Sequence, residues 1–216
     1  MVAEMIRQNS ILNRFVAELR DKDIQQDPMR FRRNLERVGE VIAYELSKTL
    51  EFDEREVITP LGVAKAQIPV ERPVLATILR AGLPLHQGML NYFDNAECAF
   101  ISAYRKHRKG GDGFDIEVEY LSCPLLDDRV LVICDPMLAT GQSMVTVYKA
   151  LQRMGKPRAL HIVSVIASSE GIEYVKSHMP VGTRIWVAAI DDEMTAQAYI
   201  VPGLGDAGDL AYGTKE

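Results

Sequence analysis

The stretch VLVICDPMLATGQS, Val130 to Ser143, changes character halfway along. Val130 to Cys134 is apolar at every position, so an extended chain there buries both faces, as a strand inside a parallel sheet does. Asp135 ends the run, Gly141 supplies a permissive backbone, and Ser143 to Met154 follows with helical spacing until Gly155 and Pro157 stop it. The same alternation extends in both directions. Val74 to Leu79, Cys98 to Tyr104, Leu160 to Ala167 and Ile185 to Ile190 read as buried strands, and Leu85 to Phe93 and Gly171 to His178 as helices between them. Upstream, Phe31, Leu35, Val38, Ile42, Leu46 and Leu50 mark one face of a helix. Val57 to Thr59 and Ala66 to Val70 flank Pro60, Leu61 and Gly62 as a hairpin arm. The fold class is α/β, a mostly parallel sheet flanked by helices, in which ligands sit beyond the carboxyl ends of the strands.

With 216 residues, 47% of them apolar, the chain suits one domain spanning 1–216. Its parts are a helical N-terminal segment at 1–52, the arm at 56–70 and a Gly-rich C-terminal segment at 191–216. A net charge of −5 repels nucleic acid as a partner, so a phosphorylated ligand needs local positive charge. Charges at Glu4, Arg7 and Arg14 argue against a signal peptide, and no run approaches the roughly 18 to 20 apolar residues that span a bilayer. That argues against a membrane partner, and Cys98, Cys123 and Cys134, which form no CxxC pair, predict a reducing, cytoplasmic setting.

The turn after Cys134 is an anion site by construction: Gly141 turns tightly, and Thr140 and Ser143 add hydroxyls beside the free N–H groups of a helix start. A Walker loop is excluded, because the Lys and the earlier Gly are absent. An ordinary strand-to-helix turn with Ser143 as N-cap is the competing reading. Arg80 follows a strand and precedes Ala81 and Gly82, which suits a phosphate clamp but equally a solvated surface Arg. Arg105 to Lys109 before Gly110 and Gly111 is either a ligand contact or a solvated charge run. Gly203, Gly205 and Gly208 satisfy GxGxxG, yet the eight residues after Gly208 leave no room for the helix and βαβ unit of a dinucleotide site. The histidines at 86, 107, 161 and 178 have no metal-ligand spacing.

Taken together, DPMLATGQS (135–143), ILRAGLP (78–84), AYRKHR (from Ala103) and YIVPGLGDAGDLAYGTK (from Tyr199) resemble, in chain order, the motifs of the uracil phosphoribosyltransferase family. The resemblance implies a type I phosphoribosyltransferase fold and the conversion of uracil and 5-phosphoribosyl pyrophosphate (PRPP) to UMP and pyrophosphate in pyrimidine salvage. It implies catalytic roles for Arg80, Arg105 and Asp135. PRPP would be held by Arg80, Arg105, Asp135, Pro136, Met137, Leu138, Ala139, Thr140, Gly141, Gln142, Ser143 and Asp206. Uracil would be read at Ile200, Gly205, Asp206 and Ala207, largely by main-chain groups. Mg2+ would be carried mainly by PRPP, with Asp206 reaching it through water, and at least a homodimer is implied. Lys106 to Gly113 would close over pyrophosphate. Pro136 and Ala139 stand where many relatives outside the uracil branch carry acids, so no carboxylate general base is expected in this loop, and Gln142 replaces a Gly that is usual in the uracil branch. The competing class is a regulatory protein that keeps the phosphate loop as a sensor and binds nucleic acid or another protein, with the basic run at 105–109 as its only support.

Overall fold

The computed structural model describes residues 1–107 and 114–214, with side chains described outside 104–116. The strands are β1 (Val2–Glu4), β2 (Phe52–Thr59), β3 (Gly62–Pro69), β4 (Val74–Leu79), β5 (Glu97–His107), β6 (Phe114–Ser122), β7 (Val130–Cys134), β8 (Met137–Leu138), β9 (Ala159–Ser168), β10 (Arg184–Asp191), β11 (Glu193–Met194) and β12 (Ile200–Val201). The helices are α1 (Ile11–Arg20), α2 (Pro28–Ser47), α3 (Leu83–Leu90), α4 (Gln142–Leu151), α5 (Ser169–His178) and α6 (Ala207–Tyr212). The main sheet runs β1-β10-β9-β7-β4-β5-β6, with β8 also on β9. Its pairs are parallel except β5 with β6.

Strand β7 explains the layering. Val130, Val132 and Cys134 face a core shared with α1, α2, α3 and α6, while Leu131 and Ile133 face the core of α4 and α5. Both faces are therefore dry, and the polar residues are pushed to the strand ends. Parallel pairing of β4, β7, β9 and β10 brings Leu79, Cys134, Ser168 and Asp191 to one rim, and β5 runs the same way.

Several sequence expectations need revision. The N-terminal segment is not wholly helical, because Val2–Glu4 adds a parallel edge strand against β10. Helix α1 lies ahead of the periodic helix, opened by Ser10 and Asn13 in a reciprocal capping box. The hairpin is longer than its apolar residues suggest: it pairs Phe52 with Pro69 through to Thr59 with Gly62, and its side chains are almost all exposed. Lys106 and His107 continue β5 instead of starting a loop, while 108–113 lie outside the described residues. Among the described residues no helix is long and apolar enough to cross a membrane.

Helices α2 and α3 approach closely. A Cβ on Gly88 would stand 2.0 Å from the Glu36 carbonyl oxygen, and one on Gly39 2.4 Å from that of Leu85. Backbone on both sides leaves no flexible atom to yield. Gly88→Ala should therefore lower stability by about 1–3 kcal/mol, outweighing the gain in helix propensity. Urea unfolding of the variant against the parent checks this, and an unchanged midpoint would refute the close approach.

Candidate active site

At the carboxyl rim, β4 gives way to Arg80, Ala81 and Gly82, and the Leu79–Arg80 peptide is cis. Gly82 has no room for a side chain: its Cβ would lie 2.4 Å from Thr77 Oγ1 and 2.9 Å from the Cys134 carbonyl oxygen. This turn is thus pressed against the end of β7, where the second loop begins.

In that loop the Pro136 carbonyl accepts from the N–H groups of Val165 and Ile166, and Met137–Leu138 pairs with Ile166–Ala167. Leu138 is buried in the core facing α4 and α5. The Ser168 hydroxyl donates to the Ala139 carbonyl at 2.5 Å and accepts from Gly171 N–H at 2.8 Å, so the N-cap of α5 also anchors the loop. Gly141 has φ +76° and caps α4 through its backbone alone, with no side-chain cap bond. Ser143 is consequently not the N-cap, and the helix starts one residue earlier, at Gln142. That residue is exposed, and the positive φ that requires glycine falls on Gly141. The Gln142 N–H makes a long contact, 3.4 Å, to Thr140 Oγ1, and with no cap bond from Gly141 the start of α4 offers its remaining N–H groups to an anion.

Asp135 leads this loop. Burial pushes its carboxyl up to about 7, against a hydrogen bond from Met137 N–H that pulls the other way.

The third piece is C-terminal. Gly203 has φ +56° and Gly205 φ +87°, conformations that side chains resist. Ile200 and Ala207 are buried in the core, so neither side chain is free to contact a ligand. A short helix does overlap the end of the GxGxxG motif: α6, six residues from Ala207, opened by Asp206, whose Oδ1 accepts from Gly208 N–H at 2.8 Å and Asp209 N–H at 3.0 Å. It is too short for a dinucleotide unit, and no strand follows it among the described residues.

These pieces meet. Arg80 Nη2 donates to the Gly213 carbonyl at 2.7 Å and reaches Asp209 Oδ1 at 3.3 Å. A Cβ on Gly208 would be 3.9 Å from Ala81 Cβ. Arg80 Nε is buried without a protein acceptor. Of the residues read from sequence, the first and third motifs are in contact and the second adjoins the first through Gly82. Arg105 lies on β5, three residues beyond Ser102, which pairs with Leu79. Its side chain falls outside the described residues. The sequence reading omitted Ser168 and Gly171, although Ser168 before a helical run is an ordinary N-cap signal. Among the described residues no group of three His, Cys, Asp or Glu could by itself hold a metal ion.

A family model described as "Uracil phosphoribosyltransferase" matches residues 6–214. A protein of that name from Porphyromonas gingivalis is 58% identical over 208 residues, covering 96% of each chain. Another from Pyrobaculum arsenaticum is 42% identical over 202 residues, covering 92% of this chain and 93% of its own. A solved Aquifex aeolicus protein superposes with a TM-score of 0.86 at 28% identity, over 99% of this chain and 98% of its own. A hypoxanthine phosphoribosyltransferase from Staphylococcus aureus, 13% identical with a TM-score of 0.51 over 74% of each chain, shares the fold.

Because the folded state holds the Asp135 proton more tightly than the unfolded chain, this group's contribution to stability is full below the ordinary Asp range. It is lost as pH rises through about 7. Asp135→Asn, which cannot ionise, should gain stability over the parent as pH rises toward neutrality and lose that advantage in acid. Urea unfolding across a pH series measures the difference, and one that does not vary with pH contradicts the burial argument.

Proposed function

The chain belongs to the uracil phosphoribosyltransferase family, and from that membership we propose that the rim site transfers the phosphoribosyl group of PRPP to uracil, releasing pyrophosphate and UMP. The observation that carries the assignment is the junction of Arg80 and Ala81 with Gly208, Asp209 and Gly213, next to the Gly141 turn. A pyrophosphate clamp, a sugar-phosphate cradle and a flat-ring site must lie side by side for this reaction, and the adjacency of these three loops supports assigning them those roles.

In this reading the 5′-phosphate takes the N–H groups at the start of α4 with Thr140 and Ser143, and Asp135 accepts from the ribose hydroxyls. Arg80, with Nε still available as a donor, and Arg105 neutralise the pyrophosphate. Uracil meets main-chain groups at Ile200, Gly205, Asp206 and Ala207, where two carbonyls and an N–H can be matched without side-chain chemistry. Uracil N1 bonds to the anomeric carbon as its bond to the pyrophosphate oxygen breaks. The bonding pair leaves with pyrophosphate, and the N1 proton passes to solvent or to pyrophosphate. Rate then comes from alignment and from charge already in place around the leaving group. Mg2+ fits this site as a substrate-borne ion: Asp206 is exposed and both its backbone donors fall on Oδ1, leaving Oδ2 for the hydration shell of the metal. The ion would supply charge neutralisation on the pyrophosphate.

Free thiols at Cys98, Cys123 and Cys134 support a cytoplasmic setting. The arm supports a homodimer. Two strands alone are marginal in water, yet this pair exposes Ile58 at 88%, Leu61 at 100% and Val63 at 63%, a surface suited to a second copy.

Purified protein should form UMP from uracil and PRPP with Mg2+, stop on chelation, and reject orotate and xanthine. Arg80→Ala should cut kcat/KM for PRPP by about a hundredfold or more. Chromatographic assay of UMP decides, and no turnover with any pyrimidine base refutes the assignment. Light scattering should find a dimer that Ile58→Lys with Leu61→Lys dissociates; a monomeric parent would refute the role of the arm.

A further inference from the structure

Arg20 ends α1 and Asp191 ends β10, 171 positions apart, and their side chains meet as a two-point ion pair. Nη1 donates to Oδ2 at 2.7 Å and Nη2 to Oδ1 at 2.8 Å. The pair is largely shielded, with 22% of the Arg side chain and 7% of the Asp side chain exposed. Each partner also grips the same glycine: Nη1 donates to the Gly203 carbonyl at 3.0 Å, and Oδ2 accepts from Gly203 N–H at 2.9 Å. Gln25 extends the cluster. Its Nε2 donates to the Arg20 carbonyl at 3.2 Å, and its Oε1 lies 3.8 Å from where a Cβ on Gly205 would stand.

Stability alone does not account for such a pair. Two charges taken out of water gain little over well-packed apolar side chains of similar size, and α1 is already docked by Leu12, Val16 and Leu19. What Met and Leu could not supply is a donor and an acceptor fixed at the spacing of one peptide's C=O and N–H. Gly203 also cannot be held by its own side chain, since a Cβ there would meet the Ile200 carbonyl oxygen at 2.1 Å. Two residues on lies Gly205, exposed and at positive φ, in the segment assigned to the base.

We propose that Arg20 and Asp191 are positioning residues for base recognition, acting through Gly203 to hold the main chain of residues 203–205 in the conformation that reads uracil. Neither side chain touches substrate. The inference rests on the function proposed above, and it separates the two substrates: the pair moors the base loop at Gly203, whereas the α4 cradle is held by Ser168, and the pyrophosphate turn by Gly82 against β7 and by Arg80 on Asp209 and Gly213, beyond the moored residues.

The test is steady-state kinetics with urea unfolding on the parent, on Asp191→Asn, and on Arg20→Met combined with Asp191→Leu. The paired apolar variant should unfold at a midpoint no lower than the parent's, yet raise KM for uracil about tenfold or more, with KM for PRPP within about twofold. Asp191→Asn keeps an acceptor for Gly203 N–H and should show a smaller rise in the same direction. An active parent whose variants keep the uracil KM, or lose affinity for both substrates alike, overturns the positioning role alone. Should the paired variant not fold, Asp191→Asn decides by the same two KM values. A parent inactive with every base overturns the function and this inference with it.

Discussion

Burial of the central strands on both faces constrains everything else in this molecule. A strand such as β7, with Val132 against one helical layer and Ile133 against the other, has no side on which to carry a polar group. Its backbone must be satisfied by parallel neighbours, and parallel neighbours align their carboxyl ends. Four loops are thereby delivered to one rim without any being designed to reach the others. Chemistry at that rim is built largely from backbone: the turn at Gly82, the helix start at Gly141 and the left-handed Gly203 and Gly205 are each places where a Cβ would clash or strain. Phosphate and a flat pyrimidine ring both suit main-chain recognition, the first because N–H groups converge at a helix start, the second because its edge alternates C=O and N–H.

Much of this was legible in the sequence because it depends on local pattern. Val130–Cys134 coincides with its apolar run, and the four other buried strands agree to within about three residues. What depends on alternation is harder. Phe114–Ser122 interleaves Ile116, Val118 and Tyr120 with Asp115, Glu117 and Glu119, the signature of an edge strand with one wet face, and a search for continuous apolar runs passes over it. The hairpin strands hide for a related reason: Phe52–Thr59 mixes four charges into a strand that contributes to no core of this chain. Helix α1 was readable, since Ser10 caps it and Leu12, Val16 and Leu19 fall on one face.

The site divides along the same line. Motifs that are contiguous in sequence, 78–84, 135–143 and 199–215, identify loops but cannot say that Arg80 lies against Asp209 or that Ser168 props Ala139. Those relations are tertiary. The Arg20–Asp191 pair is the extreme case, for nothing near Arg20 in sequence distinguishes it from any other Arg at a helix C-terminus, where a cation is expected for its own sake.

Asp135 shows why such sites resist reading from stability. An acid at the end of a buried strand, its carboxyl pushed up to about 7 by burial, is a poor choice for folding alone. The rim can hold it because the loop around it is over-determined: Pro136 and β8 are tied to β9, Ala139 to Ser168, and Gly141 is wedged against Gly171 and Tyr174. Rigid packing keeps a polar group in a place from which water would otherwise draw it, and a ribose bearing two hydroxyl donors would replace the hydration that burial removed. The same wedge that makes Gly141 irreplaceable in the fold also fixes the position of Asp135 relative to the start of α4, the two groups to which the proposed function assigns the sugar phosphate.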